Sequence, residues 1–166
     1  MDRRHALSKT AKIILYAAIV VAWTALDQYA KSLFAGMKPD GSVLAGPFAG
    51  LVDIRLVHNT GAAWGMFADN TIALGVFSIV VCVAIAAAFF ATVRSSSVLQ
   101  TVSLALITAG GVGNAIDRFS QGYVVDFIEF SFFDFPVFNI ADIGVTCGFA
   151  LLVISLITTW NKEGQN

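Results

Sequence analysis

Charged residues are scarce in this sequence. Asp, Glu, Lys and Arg make up only 13% of its 166 residues, whereas a soluble domain has roughly 25%. Hydrophobic residues make up 57%, and the mean hydropathy is +0.78. This composition excludes an ordinary soluble domain and predicts an integral membrane protein. The formal net charge is −1 and no basic patch is interleaved with aromatics, so we expect no nucleic-acid partner.

Cysteine is also rare. Cys82 and Cys147 each lie midway along an apolar run, and neither has the paired spacing of a metal or redox site. We interpret both as buried packing residues, because free cysteine behaves as a small hydrophobe. None of the usual clusters of metal-ligating residues is present, so we expect no metal and no cofactor.

Four apolar segments are each long enough to cross a bilayer, which takes about 20 residues. We therefore predict a single integral membrane domain over residues 1–166, with spans at about 12–34, 71–93, 98–116 and 141–160. In the third span, Gly110 and Gly113 lie three residues apart, a spacing that permits close contact with another helix.

The start of the chain is basic, with Arg3, Arg4, Lys9 and Lys12 ahead of the first apolar run. By the positive-inside rule this end lies in the cytoplasm, and four spans then place both termini there. A cleaved signal peptide is the alternative, but no clean small-x-small site follows the run at once.

Residues 36–67 form the longest stretch outside the predicted spans. Residues 51–58 alternate between apolar and polar types, which is typical of a half-buried strand. We therefore expect a small β-rich segment on the outer side of the membrane. We interpret His58 as an ordinary strand residue, because no acid or nucleophile is paired with it in the sequence.

Polar residues gather between positions 110 and 142, in otherwise nearly charge-free surroundings. Carboxylates at membrane depth mark a functional site by default, and Asp126 and Asp142 are both set among apolar residues. A short Phe-rich excursion separates them, which would allow the two carboxyl groups to meet at one helix end. Two close carboxyl groups cannot both stay ionised, so the pair can supply an acid and a base. This is the chemistry of an aspartyl hydrolase.

Two features leave alternatives open. Asp27 and Lys31, four residues apart, form either a simple ion pair on one helix face or a pair in which Asp27 faces inward and braces a polar site. The Phe-rich segment 130–138 is either an interfacial anchor or a wall for a lipid-bearing ligand, since aromatic belts favour Trp and Tyr.

Taken together, five blocks make the chain resemble the lipoprotein signal peptidases, or signal peptidase II, which are bacterial membrane aspartyl peptidases. The blocks are Asp-Gln-Tyr-Ala-Lys at 27–31, Asn-Thr-Gly-Ala-Ala-Trp at 59–64, Gly-Asn-Ala-Ile-Asp-Arg at 113–118, Val-Val-Asp-Phe-Ile at 124–128 and Phe-Asn-Ile-Ala-Asp at 138–142. They occur in the family's order and cover essentially the whole chain. Ala30 and Ile143 depart from the family pattern, but neither removes a carboxylate of the pair.

The resemblance implies an all-α membrane protein of the bacterial inner membrane, with four transmembrane helices and a small periplasmic β-rich cradle. It implies that the active site is at the periplasmic face, with Asp126 and Asp142 as the catalytic pair and a structural or supporting role for Asp117. The implied substrate-binding residues are Asn59, Gly61, Asn114, Arg118, Asn139 and Asp27.

The implied substrate is a diacylglyceryl-modified prolipoprotein, which is cut just before its lipidated cysteine. The partners expected from the resemblance are this substrate and membrane lipid, and we expect the protein to act as a monomer.

The competing interpretation is a small membrane transporter component in which Asp27, Asp126 and Asp142 relay protons or bind a cation. A continuous relay would need ionisable residues through the depth of the bilayer. The cytoplasmic halves of the four predicted spans lack them, which favours a site at one membrane surface.

Overall fold

Four long helices make up most of the protein. The computed structural model describes residues 7–34, 36–39, 41–61 and 70–163, and of residues 161–163 only the backbone. Arg3, Arg4 and Trp64, named above, lie outside the described residues. The helices are α1 (Lys9–Ser32), α2 (Thr71–Thr92), α3 (Val98–Gln121) and α4 (Ile140–Glu163). All four contain an apolar stretch long enough to cross a membrane, as the sequence predicts.

Local sequence signals explain where two of the helices begin. The Ser8 hydroxyl accepts the Ala11 N–H at the start of α1. Ser97 and Gln100 form a reciprocal capping box at the start of α3, a motif that satisfies backbone N–H groups which have no partner within the helix.

α3 lies at the centre of the bundle and packs against the other three helices. A Cβ atom at Gly113 would lie 2.6 Å from Asp27 Oδ2, and one at Gly110 would collide with the carbonyl oxygen of Ala141. These two glycines therefore let α1 and α4 approach α3 closely, which confirms the contact predicted from their spacing.

Three short strands form an antiparallel sheet in the order β1-β2-β3. They are β1 (Ala45–Phe48), β2 (Val52–Asn59) and β3 (Val124–Phe130). β2 is the strand predicted from the alternating pattern. Sequence reasoning missed β3, since residues 124–128 were identified only as a motif. Leu56, Val125 and Phe127 form the buried core between the sheet and the helix ends.

β2 has one extra residue relative to β3. Ile54 lies opposite Ile128 and Val57 lies opposite Asp126, so three steps along β2 match two along β3. Such a bulge bends the strand and re-aims its side chains. It lies beside Asp126 and just before Asn59, the last residue of β2.

α3 continues to Gln121, beyond the predicted end of the third span at residue 116. Its last two turns carry Asn114, Asp117 and Arg118, which are polar but bonded to other parts of the protein. The apolar stretch therefore ends before the helix does. Gly122 then ends α3 in the left-handed conformation, with a φ of 80°, and the chain turns directly into β3.

Candidate active site

Asp126 and Asp142 line the same cavity. Asp126 projects from β3, Asp142 is in the first turn of α4, and the cavity has a volume of about 410 Å³. Asp126 is only 2% exposed. The pairing of β3 with β2 and the position of α4 thus bring together two carboxyl groups that are 16 residues apart in the numbering.

The Asp142 carboxylate is fixed from two sides. Its Oδ2 accepts the Asn139 backbone N–H at 3.0 Å, while Asn139 Oδ1 accepts the Asp142 N–H at 3.0 Å. This reciprocal pair is a capping box at the start of α4. Oδ1 of Asp142 accepts a further hydrogen bond from Asn114 Nδ2 at 2.8 Å, so the capping motif also orients the carboxylate.

The Asp126 carboxylate is held by two amide side chains. Asn139 Nδ2 donates to its Oδ1 at 2.6 Å and Asn59 Nδ2 donates to its Oδ2 at 2.9 Å. Burial and, to a smaller extent, the nearby Asp142 together raise the pKa of Asp126 to about 7, against the opposing effects of the two amides and of Lys31. Near neutral pH, Asp126 can therefore both hold and release a proton.

Asn139 connects the two carboxyl groups. It is fully buried. Its side-chain nitrogen donates to Asp126, its backbone N–H donates to Asp142, and its side-chain oxygen accepts the Asp142 N–H. Its Nδ2 also lies 3.0 Å from Asn114 Oδ1. A single residue thus fixes the orientation of both carboxyl groups.

Arg118 points into the cavity from α3. Its Nη2 donates to the Gly61 carbonyl oxygen at 3.0 Å, and Gly61 N–H in turn donates to Asn59 Oδ1 at 2.9 Å. The Arg118 side chain is 8% exposed, yet its Nε has no hydrogen-bond partner among the described residues. A buried guanidinium N–H without a partner is costly, so within the described residues this donor lacks the acceptor that its burial calls for.

The structure separates the predicted site residues into two groups. Asn59, Asn114 and Arg118 line the cavity with the two carboxyl groups. Asp27, Gly61 and Asn139 do not line it and support it from behind. For Asp27 both alternatives hold, since it pairs with Lys31 at 2.9 Å and also accepts the Ala141 N–H at 2.8 Å.

Sequence reasoning did not place Lys31 in the site. Its ammonium group is 4% exposed and lies 3.0 Å from Asp117 Oδ2 and 2.9 Å from Asn114 Oδ1. The signals in the sequence were its spacing from Asp27 and its place in the 27–31 block, and neither reveals contacts with α3. His58, by contrast, stacks on Tyr123 at the sheet, in agreement with its interpretation as a strand residue.

Aromatic side chains form one wall of the cavity. Phe130, Phe135 and Phe138 line it, whereas Phe132 is 61% exposed and lies outside it. The Phe-rich segment thus combines a cavity wall with an exposed apolar surface.

The interpretation of the two cysteines is half correct. Cys82 is buried, but Cys147 is exposed and lines the cavity. The error arises because an apolar run gives no indication of which side of a helix faces a cavity.

In the described part of the chain, no three His, Cys, Asp or Glu side chains are grouped so that they could hold a metal ion.

Known proteins resemble this chain over most of its length. The family model described as signal peptidase II matches residues 19–158. The lipoprotein signal peptidase of Streptococcus pneumoniae is 34% identical over 146 residues, which cover 88% of this chain and 94% of that protein. The lipoprotein signal peptidase of Enterococcus faecalis is 32% identical over 161 residues, covering 95% of this chain and 98% of that protein.

Solved structures give a similar result. A bacterial membrane enzyme determined by the in meso method at 2.3 Å resolution superposes with a TM-score of 0.80 and 30% identity, covering 91% of this chain and 92% of that one. A second such enzyme, at 1.9 Å resolution, gives a TM-score of 0.74 and 32% identity, covering 87% and 93%. The helical bundle and the sheet are therefore an architecture that experimentally determined membrane enzymes also adopt.

Proposed function

Since the chain belongs to the signal peptidase II family, whose members cleave signal peptides from prolipoproteins, we propose that it uses Asp126 and Asp142 as an aspartyl catalytic pair. The observation that carries this proposal is the placement of both carboxyl groups in one cavity, joined by Asn139. Neither a nucleophilic side chain nor a metal is needed, because two coupled carboxyl groups can activate water directly.

In the proposed reaction, one carboxylate takes a proton from water as the water attacks the scissile carbonyl carbon. The other carboxyl group, which is protonated, donates to the carbonyl oxygen or to the leaving nitrogen. The pKa of Asp126, raised to about 7, suits this exchange, because a general acid or base works best when its pKa lies near the working pH.

The residues around the pair have two proposed roles. Asn59, Asn114 and Arg118 line the cavity and bind the backbone of the substrate. Arg118 is the strongest candidate, since its Nε has no partner among the described residues. Asn139, Asp27 and Gly61 position these groups from behind.

The proposed substrate is a diacylglyceryl-modified prolipoprotein that is cut just before its lipidated cysteine. Phe130, Phe135 and Phe138 supply an apolar cavity wall next to the carboxyl pair, so acyl chains attached near the scissile bond would contact these rings. Membrane lipid would surround the remaining apolar surface. We expect the protein to act as a monomer.

We propose that this site lies at the periplasmic face and that both termini are cytoplasmic. The basic N-terminal end of α1, which carries Lys9 and Lys12, lies beside Arg94 at the end of the bundle away from the site. The positive-inside rule favours a cytoplasmic location for that end. In the four candidate spans, the acidic side chains are Asp27, Asp117 and Asp142. All three are at the active-site end. They do not form a chain of acidic groups across the membrane, so they do not support the transporter interpretation.

The test is cleavage of a lipidated prolipoprotein by purified Asp126→Asn and Asp142→Asn variants. Each change keeps the side-chain size and removes the ability to cycle a proton, so each should reduce kcat by several orders of magnitude. The double variant should be scarcely worse than either single variant, because residues that act as a unit are not additive. The wild-type pH profile should be bell-shaped, with apparent pKa values that belong to the pair.

Asp134→Asn is the matched control, because Asp134 is exposed and lies outside the cavity. It should retain wild-type turnover. Substantial turnover by a folded Asp126→Asn or Asp142→Asn protein would overturn the aspartyl mechanism while leaving the family membership intact.

A further inference from the structure

A second, fully buried charge cluster lies behind the carboxyl pair. Lys31 Nζ lies 2.9 Å from Asp27 Oδ2, 3.0 Å from Asp117 Oδ2 and 2.9 Å from Asn114 Oδ1. Asp27 and Asp117 are no more than 1% exposed. An ammonium group has three N–H donors and no acceptor, so these three partners use all of its hydrogen-bonding capacity.

Each carboxylate of this cluster also holds the backbone beside one member of the catalytic pair. Asp27 Oδ1 accepts the N–H of Ala141, the residue before Asp142, at 2.8 Å. Asp117 Oδ2 accepts the N–H of Val125, the residue before Asp126, at 3.1 Å. Gln28 Nε2 donates to both carboxylates, at 3.2 and 3.0 Å. The cluster therefore links α1 and α3 to the two segments that carry Asp126 and Asp142.

Lys31 also sets the direction of an amide that reaches the pair. An Asn side chain has an oxygen acceptor at one end and a nitrogen donor at the other. Because Lys31 can only donate, the oxygen of Asn114 must face it, which leaves Nδ2 to donate to Asp142 Oδ1 at 2.8 Å. Asn114 Oδ1 also accepts from Asn139 Nδ2 at 3.0 Å, the same nitrogen that donates to Asp126.

We propose that Lys31, clamped by Asp27 and Asp117, is a positioning residue for the catalytic pair that orients Asn114 and holds the backbone beside each catalytic aspartate. Lys31 does not line the cavity, so it acts through these neighbours and not on the substrate. The inference rests on the proposed role of Asp126 and Asp142.

The competing interpretation is an ion cluster that only stabilises the fold. Buried ion pairs often contribute little net stability, because the loss of hydration offsets their attraction, yet removing one partner is strongly destabilising. Loss of activity alone would therefore not distinguish the two roles. A shift in pH dependence would, since a purely structural defect lowers the amount of active enzyme without moving its profile.

The expected direction of that shift follows from charge. The charged and titratable groups that act on Asp126 are Asp142 from α4, Lys31 from α1 and Arg118 from α3. Asp27 of α1 acts on Asp142, Asp117 of α3 accepts the N–H of Val125 beside Asp126, and β2 contributes the neutral amide of Asn59. The positive charge of Lys31 lowers the pKa of Asp126. Its removal makes the protonated form of Asp126 more favourable, so the activity profile should move to higher pH.

The experiment compares Lys31→Met and Lys31→Arg with wild type in steady-state cleavage of a lipidated prolipoprotein across a pH series. Lys31→Met should lower kcat by about 10²-fold, as a small misplacement of reacting groups can do, with KM nearly unchanged and the bell moved to higher pH. Lys31→Arg keeps a donor-only cation, so it should keep the wild-type pH position even if the larger guanidinium group lowers kcat.

Lys12→Met is the matched control. Lys12 is also a buried lysine of α1, is 6% exposed and donates to the carbonyl oxygens of Val93 and Arg94 at the other end of the bundle. It should lose thermal stability but keep the kcat per folded molecule and the pH profile. If Lys31→Met does not fold, the double variant Lys31→Met with Asp117→Asn removes one buried charge of each sign. It should show the same loss of kcat per folded molecule but a smaller pH shift, because the lost Asp117 charge lies 3.0 Å from Lys31 and offsets the loss of the positive charge.

A folded Lys31→Met or double variant with wild-type kcat and an unmoved profile would overturn the positioning role. The same conclusion would follow if kcat fell equally in the Lys31→Met and Lys12→Met proteins without a pH shift. Failure of the aspartyl mechanism itself is a different outcome, because it would appear as activity in Asp126→Asn or Asp142→Asn.

Discussion

Asn139 is the residue on which the geometry of the site depends most directly. Its side chain bonds Asp126, its backbone N–H bonds Asp142, and its side-chain oxygen caps α4. An Asn at the first position of a capping box is a common device for starting a helix. Here the last member of the box is Asp142, so the residues that begin α4 also aim a carboxylate at the cavity.

Arg118 is the cavity residue whose donor geometry can be tested by a conservative substitution. Arg118→Lys keeps a positive charge but loses the planar fork of donors, including the Nε that has no partner in the described structure. Hydrogen bonds to charged groups contribute about 1.5–3 kcal/mol, so kcat/KM should fall by about 10-fold or more. The measurement is steady-state cleavage of a lipidated prolipoprotein.

Arg55→Lys is the control for this prediction. Arg55 is partly exposed on β2 and forms an ion pair with Glu129 at 2.7 Å, away from the cavity. Exposed ion pairs contribute about 0–1 kcal/mol, so activity should be close to wild type. Unchanged kcat/KM in Arg118→Lys would assign Arg118 a purely structural role through Gly61.

At the scale of elements, the connection between β3 and α4 decides the shape of the cavity. Phe130 ends β3 and its ring contacts four other phenylalanines at centroid distances of 5.0 to 5.7 Å. Phe138 then pairs with Ile128 through backbone hydrogen bonds. This cluster stiffens an otherwise irregular segment, and its inner side becomes an apolar wall beside Asp126.

The lipid of the proposed substrate would contact the apolar wall formed by Phe130, Phe135 and Phe138. An unlipidated precursor lacks the acyl chains that would make van der Waals contacts with the apolar cavity wall, so it should show a higher KM than the lipidated one. Phe135→Ala, which removes part of the cavity wall, should narrow that difference. The measurement is the cleavage rate of each precursor by each protein. Both precursors are supplied at a concentration below the KM of the wild-type protein for the lipidated precursor.

Phe132→Ala serves as the control, because Phe132 belongs to the same cluster but lies outside the cavity. It should preserve the preference for the lipidated precursor. Equal cleavage of the two precursors by wild-type protein would contradict the proposed contact between the Phe-rich segment and acyl chains.

At the scale of the whole molecule, polar and apolar functions are separated along the bundle axis. In the half of the bundle away from the cavity, the helices pack through apolar contacts such as the stacking of Tyr16 on Phe89. The other end holds the sheet, the cavity and the Lys31 cluster. A bundle of this kind can have its active site at one membrane surface while the rest of its length is surrounded by lipid.

The prediction for the whole molecule is its orientation. Alkaline phosphatase inserted after Ser42 should be active, because the enzyme requires disulfides that form outside the cytoplasm. The same insertion after Ser95, in the turn between α2 and α3, should be inactive while a cytoplasmic reporter at that position should be active. Equal signals at the two positions would exclude the four-span orientation.

The sequence by itself determined the membrane class, the four spans and most of the polar residues that line the cavity, namely Asn59, Asn114, Arg118, Asp126 and Asp142. Each of these depends on local information. A span is a run of about 20 apolar residues, and an aspartate such as Asp126 or Asp142 in apolar surroundings is conspicuous without knowledge of its neighbours. The tight packing of α3 also followed from local spacing, since Gly110 and Gly113 must share a helix face.

Only the tertiary structure decided which of these residues meet. β3 is a strand because it pairs with β2, a partner more than 60 residues earlier in the chain, and periodicity within seven residues does not reveal such a partner. In the same way, Lys31 became part of the site through Asp117 and Asn114 on α3, and Cys147 proved to line the cavity. Contacts between distant segments depend on how elements pack, and that information is spread over the whole chain.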